Sequence, residues 1–239
     1  MKHLNTYITE KFQVSNSSII TYAYDPKDKQ ELIQCIKDKI SEEGLGTKDK
    51  PLDLNDIDTS NITDMSDLFH IFDELKDISN NGYFDISNWD VSNVEDMEGM
   101  FWKSSFNGNL SYWDVSNVTN MKSMFYGSSF DGDISNWNVS SVETMSCMFY
   151  NSAFSGKNGG ISKWNVRNVE DMTGMFCNTA FNGDISDWDV RNVEVMHSMF
   201  YKSDFNGNLS KWNVSKVKHM EYMFDECPLE KNPPKWYRE

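Results

Sequence analysis

Apolar residues return along this chain with a long, fixed period. The clearest stretch is Trp113 to Phe125, WDVSNVTNMKSMF. Variants begin at Trp89, Trp137, Trp164, Trp188 and Trp212, and a worn copy begins at Ile57. Starts lie 24 residues apart, except for a gap of 27 after Trp137 and one of 32 after Ile57. A period in this range is the signature of stacked repeat units.

Within one unit the apolar spacing predicts two elements. Asn109-Leu110-Ser111, with Asp133-Ile134-Ser135, Asp184-Ile185-Ser186 and Asn208-Leu209-Ser210, has one apolar residue flanked by polar ones, which suits a very short strand. Stacked copies of it would pair as a parallel ladder. Val118, Met121 and Phe125 fall on one face of a helix, with Met124 on its flank. Ser92-x-x-Glu95 and Ser140-x-x-Glu143 read as capping boxes that open it. The expected fold class is therefore α/β: a right-handed strand–helix solenoid of about seven units spanning residues 51–224.

The flanks break the pattern. Tyr7 to Val14 and Ile19 to Tyr24 read as two short strands. Asp25 and Pro26 read as N-cap and first position of a helix with Leu32, Ile33, Ile36 and Ile40 as its stripe, ended by Gly44 or Gly46. Residues 1–50 are thus expected to form a ββα N-terminal cap. Residues 225–239 carry three prolines, which forbid another helix or ladder strand, and Leu229, Trp236 and Tyr237 can cover the last unit as a Pro-rich C-terminal cap. Lys157 to Gly160 leaves the pattern and should bulge as a loop, and the stretch from Ile71 to Gly82 also leaves it, as a second non-repeating surface feature.

Composition narrows the chemistry. Of fourteen Met, all but Met1 fall in two repeat columns, where methionine fills gaps between rings. No apolar run approaches the ~20 residues of a membrane-spanning helix. The start shows no export signal, so a cytoplasmic chain is expected, or a cell-surface one if the chain is trimmed. Cys35, Cys147, Cys177 and Cys227 have neither CxxC spacing nor a His pair, which favours reduced thiols. The net charge is −15. Residues 51–102 hold thirteen acids, among them Asp73, Glu74, Asp77, Glu95, Asp96 and Glu98, against Lys76 alone. Such a surface repels nucleic acid and anionic membrane and steers toward basic proteins.

The repeat closely resembles the BspA-like family of bacterial surface proteins, whose unit reads roughly GDISxWDVSNVTNMxxMF; the resemblance runs from Leu52 to Phe224. It implies a leucine-rich-repeat-like fold and a role in adhesion or interaction. Similar repeats occur in phage-encoded proteins. No catalytic residues come with the family.

Candidate sites are what the repeat leaves free. The position after the repeat Phe holds Trp102, Tyr126, Tyr150, Cys177 and Tyr201, an edge row of aromatics suited to contact. The residue before each Trp varies most: Asn88, Tyr112, Asn136, Lys163, Asp187 and Lys211. It should face solvent beside the strand ladder, the usual binding face of a solenoid. The Asp/Asn columns after the Trp (Asp90, Asp114, Asn138, Asn165, Asp189, Asn213) and at Asp85, Asn109, Asp133, Asp184 and Asn208 suit an internal ladder. Calcium is the functional alternative, disfavoured because half of these positions are Asn. The four His share no motif, and no nucleophile, phosphate-loop or zinc spacing occurs. The sequence therefore predicts a non-enzymatic protein–protein interaction module without cofactor or metal. An acidic inhibitor of a basic nucleic-acid-binding protein, phage-encoded and directed against defence, is the alternative, and a cell-surface adhesin the third reading.

Overall fold

The computed structural model describes residues 22–70 and 75–238. The first expected strand, Tyr7 to Val14, and the start of the second, Ile19 to Tyr24, therefore lie outside the described residues; Tyr24 makes a single parallel bridge to Ile57. Helix α1 spans Lys29–Glu43. Asp28, not Asp25, is its N-cap, because the Asp28 carboxylate accepts from the Glu31 N–H. Gly44, with φ 77°, ends it. Strand β1 (Leu52–Asp53) pairs in parallel with β2 (Phe84–Asp85), and the short helix α2 (Lys76–Asn81) lies between them. A 3-10 turn, Pro228–Lys231, follows the last repeat.

We number the units 1 to 7 from Ile57 to Trp212 and call each a coil. Successive coils run side by side in parallel, joined at single bridges: Asp64 to Asp96, Asn120, Thr144, Asp171, Val195 and His219 in turn. The bridge sits inside the stretch expected to be helical. Between Trp89 and Phe224, no described repeat contains a helix, and Asn109 to Ser111 and its equivalents are turn or irregular.

The backbone explains why. Asn120 Oδ1 accepts from the Lys122 N–H at 3.0 Å, capturing a donor the helix would need. Met124 N–H bonds Met121 C=O and Tyr126 N–H bonds Ser123 C=O, both three residues back rather than four. Two columns sit in the left-handed region: Asp67, Gly99, Ser123, Cys147, Gly174, Ser198 and Tyr222, then Lys103, Gly127, Asn151, Asn178, Lys202 and Glu226, with φ of 53 to 63°. Left-handed residues end helices.

These turns aim the remaining donors along the stack. Met121, Ser123, Phe125 and Gly127 donate to Thr144, Ser146, Met148 and Tyr150 of the next coil, at 3.1, 2.8, 2.9 and 2.7 Å. From Met121 to Gly127 these inter-coil N–H groups all point toward the C-terminal end, whereas the Thr119 N–H just before them donates the other way, to Glu95 C=O at 2.9 Å. Over those four positions the ladder is directional.

The core lies inside the coils. Val118, Met121, Met124 and Phe125 are fully buried, as are their equivalents in coils 2 to 6. One Phe per coil stacks on the next, with centroids 5.4 Å apart from Phe101 to Phe125 and 5.7 Å from Phe125 to Phe149. Such pairs add about 0.5–1.5 kcal/mol each beyond their area. Each Trp indole donates back to the preceding coil, as Trp113 Nε1 does to Ile86 C=O at 3.1 Å. Trp236, 24 residues after Trp212, continues this column: it donates to Leu209 C=O at 2.8 Å and stacks on Trp212 at 6.3 Å.

Candidate interaction surface

The ladder turns one face outward, and the residue types on it follow from the turns. The buried positions at Met121, Met124 and Phe125 leave Asn120, Lys122 and Tyr126 pointing out, half-buried or exposed. The Tyr126 column is a stacked row. His70 and Trp102 lie 3.8 Å apart, Trp102 and Tyr126 5.6 Å, and Tyr126 and Tyr150 4.8 Å with rings 1° from parallel. Because the rings stack along the ladder, they offer edges and hydroxyls to solvent rather than faces. Cys177 interrupts the row, so Tyr201 stands apart, its hydroxyl on Glu226 at 3.1 Å. Lys103 lies over Trp102 at 4.1 Å.

Beside the row, coils 1 to 3 carry acids. Glu95 is exposed, while Asp96 and Glu98 are half-buried. Burial pushes the Glu98 carboxyl up, but hydrogen bonds from Lys122 and Asn120 outweigh it and hold it below its ordinary value. Asp67 moves the other way, raised by burial, with the nearby Glu98 and Asp96 adding to it. Next to these acids an open groove of about 650 Å³ is lined by Ser60, Asn61, Asn93, Glu95, Asn117 and Thr119, among others. Its walls are built by side chains that stitch the coils together. Asn93 Nδ2 donates to Ser60 C=O at 2.8 Å, and Asn117 Nδ2 to Ser92 C=O at 2.7 Å.

The predicted site residues therefore divide. Trp102, Tyr126 and Tyr150 come together with Glu95, Asp96 and Glu98 on the ladder face. Asn88, Tyr112, Asn136, Lys163, Asp187 and Lys211 are all exposed, Tyr112 at 83%. They do not flank the ladder as expected: Tyr112 lies 14 residues before Tyr126 in a 24-residue coil. Among the described residues no hydrogen bond or ring contact joins the two rows. Asp77 is exposed on α2. Asp73 and Glu74 lie outside the described residues.

The Asp/Asn columns also differ from expectation. They bond their own coil, not the next. Asp114 Oδ1 accepts from Ser116 N–H at 3.1 Å and Asp133 Oδ1 from Ser135 N–H at 2.9 Å, which makes them local Asx turns. The inter-coil ladder belongs to the Asn93, Asn117, Asn168 and Asn192 column, which sequence reasoning missed. Among the described residues no group of three or more His, Cys, Asp or Glu could hold a metal ion. All four cysteines are free. Burial raises the Cys147 and Cys177 thiols and takes Cys35 to about 11, so each is a poor nucleophile at neutral pH.

Comparison with known proteins places this architecture in a class of tandem-repeat chains. A family model described as "Mycoplasma protein of unknown function, DUF285" matches twice in succession, over residues 70–158 and 151–237. The two matches cover more than half of the chain, and the protein belongs to that family. No curated protein and no solved structure matches it.

Proposed function

We propose that the protein is a non-enzymatic interaction module that binds a protein with a basic surface through the ladder face of coils 2 to 4. The observation that carries this reading is the row Trp102, Tyr126 and Tyr150 beside Glu95, Asp96 and Glu98 on one outward face. Aromatic edges with hydroxyls supply contact area and hydrogen bonds, and the acids supply steering. The groove beside them suits a long basic side chain, with Glu95 at its wall and amides along it. The finer family reading, BspA-like repeats on a leucine-rich-repeat-like solenoid, accords with the repeat motif and the side-by-side coils. It leaves adhesion at a cell surface as one setting for the same face. Among the described residues no helix is long and apolar enough to cross a membrane.

A second reading is favoured by one observation. From Pro51 to Leu75 the chain has seven acids and no Lys or Arg. A stretch so one-sided, although Lys39 and Lys29 hold its Asp56 and Asp64, would mimic a polyanion, and the module would then inhibit a basic nucleic-acid-binding protein. Capture from source-cell lysate, wild type against Glu95→Gln/Asp96→Asn/Glu98→Gln and against Trp102→Ala/Tyr126→Ala, tests both. A partner lost with both variants, whose affinity falls steeply with salt, supports the module. A partner released by added nucleic acid supports the inhibitor. A partner retained by both variants contradicts the ladder face.

A further inference from the structure

The last coil differs from every other at one half. In coils 1 to 6 the N–H of the first repeat Met donates to the next coil, from Met65 to Asp96 C=O at 2.9 Å through Met196 to His219 C=O at 2.7 Å. The left-handed residue two further on does the same, from Asp67 to Glu98 C=O through Ser198 to Glu221 C=O at 2.9 Å. In coil 7 the equivalent N–H groups of Met220 and Tyr222 donate to nothing among the described residues. Side chains repeat the contrast. Val190, Val193 and Met196 are 0 to 1% exposed, whereas Val214, Val217 and Met220 are only partly buried and Tyr222 is 58% exposed. Trp236 and Leu229 cover the tryptophan half of this coil and leave the ladder half open.

We infer that this open half-layer is a docking site for an acidic segment of another chain with the repeat's own Val-x-x-Val-x-x-Met-x-x-Met spacing. Edge polarity selects that occupant. The exposed edge offers one acceptor, the Lys218 C=O, and then donors in succession at Met220 and Tyr222, while an ordinary β-strand alternates donors and acceptors and would set an N–H against those donors. A second copy docking by the same end would do so at Met220 and Tyr222. The acceptor edge of a second copy's first coil is covered by α1, where Lys29 holds Asp64 at 3.2 Å and Lys39 holds Asp56 at 3.0 Å. A segment of this repeat, by contrast, presents one donor at the Glu95 position and then acceptors at the Asp96 and Glu98 positions, the complement of that edge, and six inter-coil seams display the fit. Charge selects the acidic form. From Phe205 to Met220 coil 7 holds Lys211, Lys216, Lys218 and His219 and no acid. In register, an acid at the Glu95 position would lie over Lys218, which Glu194 already holds from the other side at 2.7 Å, and one at the Asp96 position over His219. Glu221, beside them, is already bound to His197 and His219, at 3.5 Å each.

The probe is a synthetic peptide of residues 90–101, DVSNVEDMEGMF, titrated into the full-length ¹⁵N-labelled chain. We expect saturable amide shifts at Met220 and Tyr222, and binding weakened at least about tenfold by Val217→Lys, a tolerated change at a half-exposed site. The basic equivalent, residues 213–224, should bind several-fold more weakly. No shift at millimolar peptide, equal binding of a scrambled peptide or of the basic one, or shifts confined to another surface would overturn the inference. Because the site is an end and not the ladder face, the outcome is independent of the function proposed above.

Discussion

The two ends of the stack meet solvent differently. At the first coil, α1 lays Leu32, Ile33 and Ile36 over the core, and Ile62 and Met65 are 1% and 0% exposed. At the last coil an irregular segment lays down Trp236 and Leu229, and the equivalent Val217 and Met220 remain half-exposed. The same columns are thus buried at one end and open at the other. Burial in this fold belongs to the neighbouring layer, not to the residue. Each coil is stable only as far as its neighbours cover it, which is the nearest-neighbour logic of stacked repeats. Charge reinforces the contrast. Lys29 and Lys39 of α1 neutralise acids of the first coil, while the lysines of coil 7 reach back to coil 6, Lys211 to Asp187 and Lys218 to Glu194.

Substitution within one column breaks or sharpens that contrast. Phe125→Ala removes a fully buried ring stacked on both sides and should cost about 3–5 kcal/mol. Phe224→Ala, whose ring stacks on Phe200 and is covered on its other side by Trp236 and Tyr237, should cost a similar amount; chemical denaturation measures both. Met121→Ala should cost about 2–5 kcal/mol, and Met220→Ala, whose side chain is half-solvated already, about 1 kcal/mol or less. Equal losses at the two methionines would mean that the last coil is covered after all. At the covered end, Gly46 packs where an added Cβ would lie 1.9 Å from the Tyr83 carbonyl and 2.4 Å from the Leu52 nitrogen. Gly46→Ala must push β1 from β2, with an expected loss of about 1–3 kcal/mol on thermal melting.

The pH dependence of that end follows from Lys39. Desolvation lowers its pKa, but hydrogen bonds and charge from Glu43 and Asp56 outweigh it, so its folded value lies above the ordinary lysine value of 10.5. A raised folded pKa gives stability that is fully present below 10.5 and is lost as pH climbs through the folded value. The wild type should therefore lose stability above about pH 10.5 relative to Lys39→Met, and a flat difference between pH 8 and 11.5 would contradict the pairing. The smallest effect belongs to the exposed pair at the other end: Lys218→Ala should change stability by less than about 0.5 kcal/mol.

Much of this was legible in the residues. The period fixed which positions are core, and Val118, Met121, Met124 and Phe125 are buried as their spacing implies. The stripe Leu32, Ile33 and Ile36 marked α1, although Asp28 outcompeted Asp25 as its cap. What spacing could not supply was the local conformation. Val115, Val118, Met121 and Met124 recur at strict intervals of three, which fits three-residue turns better than a 3.6-residue helix. Gly99, Gly127 and Gly174 share columns with Ser123, Asn151 and Cys147, a second sign of left-handed backbone rather than helix interior. The Asn93 column was invisible because an asparagine that bonds the next layer and one that bonds its own turn look alike in sequence. For the same reason the aromatic row was readable at Trp102, Tyr126 and Tyr150, but its position on the ladder was not. The row at Tyr112 was placed beside a strand ladder that lies elsewhere in the coil.

The directional ladder is the claim on which both the face and the open end depend, and amide hydrogen exchange on the full-length chain tests it most directly. The structure predicts strong protection at Met121, Ser123 and Phe125, whose N–H groups donate to the next coil, and fast exchange at their equivalents Met220 and Tyr222. Fast exchange at Met121 and Ser123, or protection at Met220 and Tyr222 equal to that at Met121 and Ser123, would contradict it.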